Sequence, residues 1–216
     1  MFFEEIRTLA IALGLDDLGM TQPHFWQQDA TYVDDWLAKG LHGALHYLEQ
    51  NKEKRYDPSV LVPAGKTILV GVVKNTNIKG DYHRHIKSLL YGLENELSQR
   101  IEGLKPIELQ HIFCDSAPVL ERRLAVEAGL GWIGKNRNFY HHSFGSLVHL
   151  GELMLDVVVP RKEPPEAYAS RCGSCEDCIN ACPSGALGDE WNAQLCRAYH
   201  KEKCWICQTV CKYNAI

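Results

Sequence analysis

The sequence lacks the features that would send it to a membrane or to a polyanion. No stretch approaches the roughly 18 consecutive apolar residues of a membrane-spanning helix. The 216 residues carry 23 Lys and Arg against 27 Asp and Glu, a formal charge of −4, so net charge supplies no attraction for nucleic acid or anionic lipid. The opening "MFFEEIRTLAIALGLDD" has acids where a secretory leader has bases, and its apolar positions are spaced as in an amphipathic helix. No twin-arginine signal and no solenoid-length repeat is present. A cytoplasmic globular protein with no membrane partner is expected.

Cysteine is almost missing from the first 160 residues, where Cys114 stands alone, whereas eight of the nine cysteines fall in the last 45. In a reducing compartment such a cluster reads as metal ligands rather than disulfides. The proline-rich, charged stretch "PRKEPPEAYAS" separates the two parts as a linker. The expected division is residues 1–160 and 161–216.

Cys172, Cys175, Cys178 and Cys182, followed by Pro183, form C-x2-C-x2-C-x3-C-P. In bacterial ferredoxins the first three thiolates of this run hold one cubane, and the fourth ligates the other cluster. The run therefore demands four more cysteines, and Cys196, Cys204, Cys207 and Cys211 follow. Crossing over gives Cys172, Cys175, Cys178 and Cys211 for one 4Fe–4S cluster, and Cys182, Cys196, Cys204 and Cys207 for the second. Paired zinc knuckles are the competing reading, but they do not require the continuation to C-P. Cys114, ending an apolar run, reads as a small buried hydrophobe.

Apolar spacing predicts helices over 3–13, 31–38, 45–49 and 83–101. Strands are expected at 66–73, 107–113 and 147–159. A helix over 118–129 would start at Pro118 and stop at Gly129. Together they make an α+β domain with a sandwiched sheet. "GLGWIG" (129–134) matches the dinucleotide fingerprint, yet it follows a helix and precedes no helix, so no helix N-terminus receives a pyrophosphate. It reads instead as a loop whose backbone must approach something bulky. The adjacent His141 and His142 are expected to diverge and have no assigned role.

"CDSAPVLERRLAVEAGLGWIGKN", then "GSLVHLGELMLDVVVP", then the double cysteine run resembles the epoxyqueuosine reductase family. "WLAKGLHGALHYLEQNKEKRYDPSVLVPAGKTILVGVV" and "DYHRHIKSLL" match its earlier segments in order. The resemblance, which extends to reductive dehalogenases, implies a nitroreductase- or cobalamin-processing-like α/β domain followed by a small bacterial-ferredoxin-like domain. It also implies cobalamin beside the two clusters and an electron donor such as a flavodoxin or ferredoxin reductase system. The substrate it implies is epoxyqueuosine at a tRNA wobble position. The corrin would lie against Asp115, Ser116, Ala117 and Pro118, against Gly131, Trp132, Ile133, Gly134, Lys135 and Asn136, and against Gly145 and Ser146. His83 would supply a polar group over it.

Asp115 becomes the general acid that protonates the departing oxygen; read without the family, Asp-Ser before Pro118 is a helix cap. The chain ends five residues after Cys211, has a short 196–204 gap and a short 74–83 loop, and carries Lys212 in place of a proline. A trimmed member or paralogue is therefore expected, acting on tRNA or on a smaller electrophile. The alternative is an electron-transfer or cofactor-binding ferredoxin-like protein without turnover of its own.

Overall fold

The computed structural model describes residues 1–105, 111–200 and 202–214. Helix α1 (Phe3–Leu13) is followed by β1 (Asp17–Thr21), α2 (Gln27–Ala38), and the short helices α3 (Lys52–Tyr56) and α4 (Pro58–Leu61). Next come β2 (Thr67–Lys74), the long α5 (Tyr82–Arg100), β3 (Ile112–Phe113), α6 (Glu121–Glu127), β4 (Gly131–Ile133), β5 (Phe139–His141) and β6 (Val148–Leu155). Two single-turn helices, α7 (Asp177–Asn180) and α8 (Ile206–Thr209), lie among the tail cysteines.

The main sheet has the order β1-β2-β6-β3, with every neighbour antiparallel. Its strands alternate between two apolar faces. Leu69, Leu153 and Leu155 face α1 and α5 (Ile6, Ala10, Ile86, Leu90, Leu93). Ile68, Val70, Val72 and Met154 face α6 and the β4–β5 hairpin (Leu124, Ala125, Leu130, Phe139). Burial on both sides explains the β-branched run of β2, whose first seven residues are all buried. The sandwiched α+β sheet expected from the sequence is therefore present.

Several boundaries differ. Strand β1 was not anticipated; its Gly19 lets the α6–β4 turn approach, since a Cβ there would sit 2.7 Å from the Ala128 carbonyl oxygen. Helix α2 begins earlier, at Gln27, and residues 46–49 form one 3-10 turn. Helix α6 starts at Glu121 rather than Pro118, because a tight turn (Val119 N–H to Ala117 O, 2.9 Å) uses the proline first. Of the expected strand at 107–113, Ile112–Phe113 is a strand, and 107–110 lies outside the described residues. Among the described residues no helix is long and apolar enough to cross a membrane.

Candidate functional site

Strand β3 delivers the chain to a sharp turn at Asp115, a non-glycine residue at φ +48°, a backbone strain that proteins concentrate at working sites. Asp115 does not cap α6. Its own N–H donates to the Glu121 carboxylate at 2.6 Å, and its Oδ2 accepts the Tyr82 hydroxyl at 2.8 Å. Tyr82, at the start of α5, also meets the rings of His83 (3.9 Å) and His149 (4.3 Å). Burial and the Asp115 carboxylate push the Tyr82 phenol up, so it stays a donor. Lys87 donates to Ser116 Oγ at 3.0 Å. His83 Nε2 is buried with no hydrogen-bond partner among the described residues. An exposed carboxyl fixed by a phenol and flanked by histidines can deliver a proton to a bound oxygen.

The tail brings its cysteines near one another. Cys172, Cys175, Cys178 and Cys211 line one cavity with Lys135, Tyr140 and Tyr213. Burial, then Cys172, pushes the Cys178 thiol up; Cys211 adds to this. The Cys207 thiol is raised by burial and by Cys178, Cys196, Cys204 and Cys182. Burial opposes ionisation of Cys182, but the Ser184 N–H and hydroxyl with the Leu187 and Ala186 N–H groups hold its pKa below the usual range. The two halves repeat one local form. Cys178 and Cys207 are each the second residue of a single-turn helix, and Cys182 and Cys211 each follow that helix by two residues. Soft thiol sulfurs are the donors that an iron–sulfur cubane takes. All nine cysteines are free, and Cys114 is buried with its thiol pushed up to about 12, chiefly by burial, as an inert packing residue would be.

The tail is fastened to the sheet domain by the glycine-rich turn and by 145–146. Asn136 Nδ2 donates to the Cys207 carbonyl (3.1 Å) and to Tyr140 Oη (2.8 Å). Asn214 accepts the Ser146 N–H at 2.7 Å and donates to Ser146 Oγ at 2.8 Å. At Gly145, φ +69°, a Cβ would sit 2.5 Å from Asn214 Oδ1. At Gly131 it would sit 1.9 Å from the Tyr140 carbonyl oxygen, so the bulky neighbour of "GLGWIG" is the facing strand of the hairpin.

No family model matches the chain. It is 30% identical to an epoxyqueuosine reductase of Leadbetterella byssophila, across 99% of this chain and 80% of that one. The chain belongs to the epoxyqueuosine reductase family. A Xanthomonas campestris epoxyqueuosine reductase is 34% identical over 90% of this chain, which here spans 59% of the relative's length. An epoxyqueuosine reductase crystallised with an epoxyqueuosine-modified tRNA-Tyr stem loop superposes with a TM-score of 0.83 at 25% identity, covering 98% of this chain and 65% of that one. The enzyme from Streptococcus thermophilus gives 0.86 at 23% identity, with 99% and 66% coverage. A catabolic reductive dehalogenase shares the fold at 0.55.

Among the residues that the family resemblance singles out, the structure separates two sets. Asp115, Ser116 and His83 stand on the Tyr82 face. The side chains of Trp132, Asn136 and Ser146 are buried and engaged with the hairpin or the tail: Trp132 stacks on Tyr140 at 5.7 Å and meets Tyr213 edge-on at 5.3 Å. Lys135 faces Glu176 at 3.8 Å. Ile133 and Lys135 are half-buried, whereas Gly131 and Gly134 are buried.

Sequence reasoning missed two clusters. His141 and His142 do not diverge; their rings lie 4.3 Å apart, and Nε2 of each faces Asp17 Oδ2 at 3.1 and 3.6 Å. Burial would push the Asp17 carboxyl up, but His141, Arg7 and the Leu18 N–H hold it far below the usual range. Because His141 Nδ1 accepts the Ser143 N–H, its Nε2 carries the proton donated to Asp17. Behind Asp115, Glu152 on β6 is 1% exposed with neither oxygen hydrogen-bonded among the described residues.

Proposed function

We propose that the chain is an iron–sulfur, cobalamin-dependent reductase that removes the epoxide oxygen of epoxyqueuosine in tRNA. The family membership and the relative crystallised with a modified stem loop support the substrate. The cysteine grouping is the observation that carries the cofactor assignment. Cys172, Cys175, Cys178 and Cys211 would hold one 4Fe–4S cluster, and Cys182, Cys196, Cys204 and Cys207 the other, in a ferredoxin-like unit of residues 161–216. Residues 1–160 would be the nitroreductase-like, cobalamin-binding unit.

The corrin fits the Asp115–Pro118 turn, where the unpartnered His83 Nε2 and the exposed Asp115 and Ser116 can meet its amide rim. Strand β4 with the turn after it (131–136), and residues 145–146, would contribute backbone, since most of their polar side chains already bind the tail. Bound there, cobalamin supplies low-valent cobalt as the reductant, replenished one electron at a time through the clusters from a flavodoxin- or ferredoxin-type donor. The protein's own task is to hold Asp115 beside the reacting carbon–oxygen bond and to give the departing oxygen its proton, with Tyr82 fixing the carboxyl. A cytoplasmic place of action goes with tRNA as substrate.

Two measurements test this. Anaerobic protein should carry about eight irons per chain and, after reconstitution, cobalt; four irons or stoichiometric zinc would refute the cluster assignment. Asp115→Ala should abolish reduction of epoxyqueuosine-tRNA while leaving the cluster and cobalamin spectra in place. Full activity in that variant would remove Asp115 from the chemistry.

A further inference from the structure

Replacing an epoxide by a double bond consumes two electrons and two protons, and the oxygen leaves as water. The first proton neutralises the oxygen as one carbon–oxygen bond breaks; the second turns the resulting hydroxyl into water as the other bond breaks. Asp115 alone can carry only one proton at a time. The second must come from solvent or from a group kept protonated beside it.

Glu121 is such a group. It stands in the first turn of α6, and its carboxyl takes the Asp115 N–H at 2.6 Å. Glu152 lies opposite Phe113 on β3 and Val70 on β2, on the sheet face that α6 covers. It is 99% shielded, and neither oxygen has a partner among the described residues. An unpartnered carboxylate in such a place is costly, so Glu152 sits there neutral. Cations nearby do not remove the effect. Arg122 donates to the Arg137 carbonyl, Lys87 to Ser116, and the Tyr82 and Cys114 protons stay on. Burial pushes His149 down, toward the neutral ring.

We propose that Glu121 is the proton store of Asp115, with the neutral Glu152 beneath it keeping the pocket floor uncharged. This rests on the reading of Asp115 as the acid. In one step Glu121 passes its proton to Asp115, which delivers it to the departing oxygen; in the other step the exposed Asp115 takes up a proton from solvent and delivers that. Glu121 ends ionised, and the two electrons come from the bound cofactors named above. The acid–base balance agrees. Burial, then the Asp115 charge, pushes the Glu121 carboxyl up to about 8 against the opposing pull of the Asp115 N–H, and burial followed by Glu121 and Asp115 raises Glu152 well above the carboxylate range.

The test has one arm that needs no substrate. Infrared titration of the reconstituted protein should show a protonated-carboxyl band that disappears with a midpoint near pH 8. Glu121→Gln should lose it, while Glu152→Gln should keep it and lose instead a band that does not titrate there. In turnover, Glu121→Gln should lower kcat by about 10²-fold with KM unchanged, and abolish the alkaline limb near pH 8. Absence of the titrating band from the wild type, or persistence of the band or the limb in Glu121→Gln, overturns the proposal. Full turnover by Asp115→Ala removes the acid on which it rests, and the proposal with it; the infrared arm distinguishes that failure from a misassigned Glu121.

Discussion

The sheet domain and the cysteine tail are held together by different physics. Through β1, β2 and the second part of β6 nearly every strand residue is buried, and fully covered Ile, Leu and Val side chains line both faces of the sheet. From residue 161 onward the only buried residues among those described are Ala186 and Ala193. A segment of this size with so small an apolar interior does not hold its shape by burial, and units of that kind usually need metal or cross-links. The difference assigns the labour. The sheet domain positions Asp115 and Tyr82 by its own burial, whereas the tail's order would depend on the proposed clusters.

The sharpest way to break this comparison is Cys178→Ser. It should take the iron content from about eight toward four per chain and expose the tail to proteolysis. The near-ultraviolet spectrum and thermal unfolding of the sheet domain should stay close to wild type. Simultaneous loss of both regions would show a single cooperative unit instead. Next in size is Gly145→Ala. A Cβ there meets Asn214 Oδ1 at 2.5 Å and the Tyr213 carbonyl oxygen at 2.6 Å, at a φ of +69° that alanine disfavours. The expected cost is about 1–3 kcal/mol, read as faster iron loss and earlier cleavage around residues 213–214, while α5 and β6 remain protected from hydrogen exchange.

How much of this was readable in the sequence follows the same division. Local spacing was enough for α1, α5 and β2, because a helical or β-branched pattern carries its own period. The proposed grouping of the tail cysteines likewise rests on gaps of two and three residues. Strand β1 escaped because Asp17 and Gly19 read as turn residues; what makes it a strand is the covering α6–β4 turn and the His141 contact. Pro118 misled for a local reason, since a proline opens a tight turn as readily as a helix. Glu152 was hidden because an acid in an alternating strand reads as the wet face, and only α6 makes that face dry. Asp17 with His141 was out of reach altogether, since 124 residues separate them.

The smallest effect concerns the place where the two regions touch across α2. Trp36 stacks on Trp191 at 5.6 Å, donates its indole N–H to the Trp191 carbonyl at 2.6 Å, and shares a small apolar cluster with Leu37 and Ala193. Lys39, one turn further along, pairs with Asp35 and Glu190. Both contacts bridge or border the same seam, but the Lys39 ammonium sits in open solvent, where Coulomb attraction is screened and ordering a long side chain costs entropy. Lys39→Ala should therefore leave tail proteolysis, iron retention and thermal unfolding unchanged within error, at low salt as at high. A measurable, salt-dependent release of the tail in this variant would mean that charge, rather than the Trp36–Trp191 stack, holds the cluster region against the sheet domain.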